Sequence, residues 1–114
     1  MESVLFVAPL APGKLERYRE IMKEIEEPAR ADFRAFLNKG GVSRLRVWAQ
    51  PSPQGDVVVV LQEGPDPKRL LTTAAESTEP AAAWFREWVA EVHGMKFDEG
   101  PPPLPEFVAD IEIE

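Results

Sequence analysis

Apolar and polar residues alternate along this chain with two different periods, and the places where the period changes outline its elements. Residues 57 to 61 read Val57, Val58, Val59, Val60, Leu61, between Gly55 and Gly64. β-branched side chains in succession are stiff at χ1 and suit a strand better than a helix. Neighbours in a strand point to opposite faces, so both faces of this strand must be kept dry. Val4, Leu5, Phe6, Val7 and Ala8 repeat the pattern and predict a second strand of the same kind. Two other stretches are apolar on one side only. Between residues 42 and 50, Ser43, Leu45, Val47 and Ala49 alternate with Val42, Arg44, Arg46, Trp48 and Gln50. Near the end, Phe107, Ala109, Ile111 and Ile113 alternate with Val108, Asp110, Glu112 and Glu114. Strands that are dry on both faces belong at the centre of a sheet, and half-polar strands belong at its edges.

The other segments have a period of three to four. Leu15, Tyr18, Met22, Ile25, Ala29, Phe33, Phe36 and Leu37 form one apolar stripe, with acidic and basic residues between them. Pro28 falls inside the stripe and removes a helical hydrogen bond, so the spacing predicts a kink or two helices in succession, ending at Gly40-Gly41. Asp66-Pro67 suits the N-cap and first position of a helix carrying Leu70, Leu71, Ala74 and Ala75. Ser77 to Pro80 interrupts it. A last helix then carries Trp84, Phe85, Trp88, Val89 and Val92 and closes at His93-Gly94. The prolines of residues 98–105 predict an extended, polyproline-like crossing.

Strand, helix, strand, strand, helix pair, strand is the split βαβ order of a ferredoxin-like α+β fold, an antiparallel four-stranded sheet with helices on one face. The first and third strands are then central and the second and fourth are edges, in agreement with their polarity. Nothing in the chain supplies a third layer to cover the other face. A second copy of the sheet is the simplest cover, which predicts a homodimer with Val58 and Val60 among the buried interface residues.

Composition narrows the partners. A length of 114 residues, 44% of them hydrophobic, suits one domain spanning 1–114 with one modest core. The net charge of −7 sets the chain against nucleic acid and anionic membrane as main partners. The absence of cysteine removes disulfides and thiolate chemistry and suits the cytoplasm. The apolar run before Pro9 is short and carries Glu2, which reads as a strand rather than a signal peptide or membrane span.

The first strand leading to Pro12-Gly13-Lys14, the Gly40-Gly41-Val42 lead into the second strand, and the aromatic helix from Trp84 to Val92 before a proline-rich crossing together resemble the dimeric α/β-barrel superfamily. That group includes antibiotic-biosynthesis monooxygenase-like proteins, small stress-response barrels and sugar mutarotases, and the chain is also similar to an uncharacterised branch of it. The resemblance implies a cleft between sheet and helices for a small molecule. It also implies that one subunit's second strand lies near the other's fourth. Arg44 and Arg46 would then meet Asp110 and Glu112 of the second copy across two edges.

Residues suited to chemistry are few. His93 is the sole histidine, so a multi-histidine metal site is ruled out. Beside Gly94 it reads as a helix C-terminal cap interacting with the dipole, with a catalytic role as the alternative. No cofactor motif is present: Gly40-Gly41 follows a helix rather than preceding one, as a phosphate loop would require. Trp84, Trp88, Tyr18, Trp48 and Arg46 are the candidate ligand-binding residues, with core packing or interface filling as the alternative roles. The functional expectation is therefore a small-molecule-binding dimer. The alternatives are a cofactor-independent monooxygenase-like enzyme, or a sugar mutarotase in which His93 works with Glu91 or Asp98.

Overall fold

The computed structural model describes residues 2–95 and 105–113. In chain order the elements are β1 (Glu2–Pro9), α1 (Leu15–Glu26), α2 (Ala31–Lys39), β2 (Arg44–Gln50), β3 (Val57–Gly64), α3 (Arg69–Glu76) and α4 (Pro80–His93). A short 3-10 turn at Pro28–Arg30 separates α1 from α2, so the proline inside the long stripe divides it into two helices. Pro80 likewise opens α4 at its first turn, where a missing N–H costs nothing. The helix after the valine strand starts at Arg69, later than Asp66-Pro67 suggested, and no side chain caps it.

The sheet is antiparallel in the order β1-β3-β2. Its register sorts every strand residue onto one of two faces. On one lie the rows Ala8, Val58, Ala49; Phe6, Val60, Val47; and Val4, Gln62, Leu45. On the other lie Val7, Val59, Trp48; Leu5, Leu61, Arg46; and Ser3, Glu63, Arg44. The helices cover the first face, where Val58 is completely buried against a core of Ile21, Phe33, Leu70, Ala82 and Val92. The second face is open, with Leu5 46%, Val7 49% and Trp48 51% exposed. Val58 and Val60 therefore belong to the helix-covered core and are not available to an interface on the open face. There the valine strand presents Val57, Val59 and Leu61. A run apolar on both sides does not itself say which alternate set the helices take.

Two sequence expectations need correction. Residues 107–113, the described part of the expected fourth strand, lie outside the sheet and are exposed throughout, Phe107 at 77% and Ile113 at 88%. Among the described residues β1 is consequently an edge rather than a central strand. The alternation of Phe107, Ala109, Ile111 and Ile113 states only that a strand would have one greasy face, and pairing requires an edge and a surface to receive it. The polyproline-like crossing expected before it falls almost wholly outside the described residues.

Backbone crowding fixes the end of the sheet. Gly41 has φ +95° and a Cβ there would collide with the Asp66 carbonyl, while a Cβ on Gly64 would collide with the Gly41 carbonyl. The two segments touch main chain to main chain, with Asp66 N–H donating to the Gly41 carbonyl at 3.1 Å and Ser43 N–H to the Glu63 carbonyl at 2.8 Å.

Candidate functional site

A cavity of about 60 Å³ lies between the covered face of the sheet and the helices. On the ~30 Å³ that a water takes up in the liquid it holds about two waters, well short of the ~150 Å³ in which one benzene ring is held. Phe6, Val60 and Gln62 come from the sheet, Tyr18 and Met22 from α1, and Phe85, Trp88 and His93 from α4. Helical spacing accounts for the convergence. Tyr18 and Met22 are one turn apart on the buried stripe of α1, and Phe85, Trp88 and Val89 share one stripe of α4. A wider, open groove between α1 and β2 shares Tyr18, Met22, Ile25 and Leu45 with the cavity and carries Arg19 and Lys23 on its rim.

No acidic or basic chain of the Asp, Glu, Lys or Arg type lines the inner cavity. Its polar groups are the Tyr18 hydroxyl, the Trp88 indole N–H, the Gln62 amide and the His93 imidazole. Tyr18, Trp88 and Gln62 are buried residues whose side chains make no hydrogen bond among the described residues, and of their polar atoms the Trp88 indole nitrogen is the one shut off from solvent. Burial pushes the Tyr18 hydroxyl far above its ordinary pKa, so it stays protonated. The rings meet edge to face: Tyr18 lies 6.1 Å from Trp88 and 5.8 Å from His93, and Phe85 lies 5.0 Å from Trp88.

His93 does not cap its own helix. Gly94, with φ 70°, takes that place and donates its N–H to the Ala90 carbonyl at 3.0 Å. The His93 ring instead reaches the end of β1, where Nδ1 donates to the Pro9 carbonyl at 2.7 Å. Ala11 N–H returns a bond to the Val92 carbonyl at 2.7 Å, so the ends of β1 and α4 are clasped in both directions. Desolvation lowers the His93 pKa, opposed by the bond to Pro9. The neutral ring donating from Nδ1 leaves Nε2 as an acceptor.

The five candidate ligand residues divide. Tyr18 and Trp88 line the cavity. Trp84 stands outside it, packed edge to face on Phe33 at 5.1 Å, with the Arg30 guanidinium 4.0 Å above its ring. Trp48 and Arg46 lie on the opposite face of the sheet, where Arg46 pairs with Glu63 at 2.7 Å. Arg44 has no ion pair among the described residues, and Asp110 and Glu112 lie exposed in the segment beyond the sheet. Glu91, one possible partner of His93, pairs instead with Arg17 at 3.1 Å and Lys14 at 3.9 Å, and Asp98 lies outside the described residues. Gln62 is the site residue that sequence reading passed over. Its signal was present, a polar side chain in step with Val58 and Val60 on the face that must be dry.

Among the described residues no cluster of three or more histidine or acidic side chains is placed to hold a metal ion, and no helix is long and apolar enough to cross a membrane. The chain matches no known family profile and no curated protein. It is similar in structure to an L-rhamnose mutarotase from Formosa agariphila, with a TM-score of 0.66 over 98% of this chain and 100% of that one, at 16% sequence identity. At that identity the likeness shows the fold alone, a ferredoxin-like α+β arrangement.

Proposed function

We propose that this chain binds a small, mostly apolar molecule in the cavity between sheet and helices, and that it does so as a homodimer closed over the open sheet face. One observation carries the binding reading: Trp88, a residue of the apolar cavity's wall, holds a buried indole N–H without a partner. Polar groups left in that state cost stability and are rarely kept without an occupant to satisfy them. The dimer reading rests on Leu5, Val7 and Trp48, which with Val59 and Leu61 make a continuous apolar surface. In such a dimer Arg44 and Arg46 of one copy would face Asp110 and Glu112 of the other. The acidic charge and absence of cysteine favour work in the cytoplasm, away from nucleic acid and membrane. A thermal-shift screen of small neutral and aromatic compounds tests the binding, and light scattering tests the dimer. A screen without a single stabiliser, or a monomer at working concentration, refutes the corresponding half.

The structural likeness to an L-rhamnose mutarotase supports a second reading, sugar epimer exchange, with Tyr18 and His93 as the proton-handling pair. The inner cavity argues against it, because a sugar's hydroxyls would lose their water bonds to walls that return few of them. A shift in the anomeric exchange rate of rhamnose, followed by NMR, would favour this reading over the first.

A further inference from the structure

The apolar cavity also constrains what its occupant must look like, and this step rests on the binding reading above. Trp88 is 7% exposed, and its indole nitrogen is a buried donor without a partner. Unlike the Gln62 amide or the Tyr18 hydroxyl, an indole N–H donates and never accepts. An occupant that satisfies it must bring an acceptor. The absence of any Asp, Glu, Lys or Arg from the lining means that a charged molecule would lose its hydration without compensation. A carboxylate or ammonium is therefore excluded from the inner cavity. The volume of about 60 Å³ is less than one ring fills, so a ring seated there extends into the adjoining groove, and the Tyr18, Phe85 and Trp88 rings with the Met22 and Met95 side chains favour a planar π system over a saturated one.

From these constraints we infer that the inner cavity, together with the groove it opens into, takes a small, neutral, monocyclic aromatic carbonyl compound whose oxygen accepts the hydrogen bond of the Trp88 indole N–H. The way in is the groove between α1 and β2, which shares Tyr18, Met22 and Leu45 with the cavity. A longer compound would leave its tail there, beside Lys23.

Acetophenone and ethylbenzene are a matched pair of probes, alike in shape and differing in the carbonyl. The protein has three tryptophans, so its indole N–H resonances are few, and Trp48→Phe and Trp84→Phe assign that of Trp88 by elimination. Titration followed by ¹⁵N–¹H NMR should show acetophenone moving the Trp88 indole resonance downfield and binding roughly tenfold more tightly than ethylbenzene, the value of one buried hydrogen bond. In Trp88→Phe that preference should vanish while ethylbenzene still binds. If this variant fails to fold, the comparison of the two probes on the native chain decides alone. Binding of both probes with the Trp88 resonance unmoved overturns the inference and leaves a generic apolar site, with water as the indole's partner. Binding of neither overturns the inference and removes monocyclic aromatics from the reading it rests on, while a stabiliser from the wider screen would keep that reading alive.

Discussion

Removing the His93 ring tests the clasp between β1 and α4 and the charge state of the cavity together. In His93→Ala the Pro9 carbonyl loses the donor 2.7 Å away, and Tyr18 loses an edge-to-face neighbour at 5.8 Å. A net hydrogen bond is worth about 1 kcal/mol and an aromatic pair about 0.5–1.5 kcal/mol, so near pH 7.5 the variant should be about 2 kcal/mol less stable. For a domain of this size that is a fall in Tm of about 8 °C, taking ~4 °C per kcal/mol. The pH dependence supplies the sharper reading. Desolvation holds the folded His93 below its ordinary value of 6.5, so above that pH the ring is neutral in both folded and unfolded states. As the pH falls below 6.5 the unfolded chain takes up a proton that the folded chain refuses, and stability is lost until the folded pKa is reached. Urea unfolding at fixed protein concentration should therefore show the gap between native chain and His93→Ala narrowing below pH 6.5. A gap that stays constant from pH 7.5 to 5 refutes the buried, neutral histidine, and no gap at pH 7.5 refutes the clasp.

Other substitutions probe the core, the backbone and the open face. Phe33, 1% exposed and in contact with Phe36, Trp84 and Phe85, should cost about 3–5 kcal/mol as Phe33→Ala in the same unfolding assay. Gly41→Ala meets the Asp66 carbonyl in addition to its positive φ and should fail to accumulate as folded protein, whereas Gly13→Ala, with a similar φ and open space around it, should lose only about 1 kcal/mol. Leu5→Asp, on the open face at 46% exposure, should give a folded monomer by light scattering and unchanged far-UV circular dichroism. The same change at Val58, which is fully buried, should unfold the chain.

Local pattern alone determined most of the scaffold. The unbroken β-branched run of the valine strand, the division of the long stripe at Pro28, the break before Pro80 and the αL glycine after His93 all follow from steric rules that act within a few residues of chain. Only the tertiary structure decided which face of β3 the helices cover, since Val58 and Val59 are chemically equivalent and differ only in what packs above them. It also separated Trp48 from Trp88 by a sheet one strand thick, and it gave His93 a partner 84 positions away in Pro9. The terminal alternation from Phe107 to Ile113 marks the boundary between the two kinds of information. It encodes a strand with one greasy face, but pairing is a property of two edges, and a segment's own residues cannot specify which edge receives it.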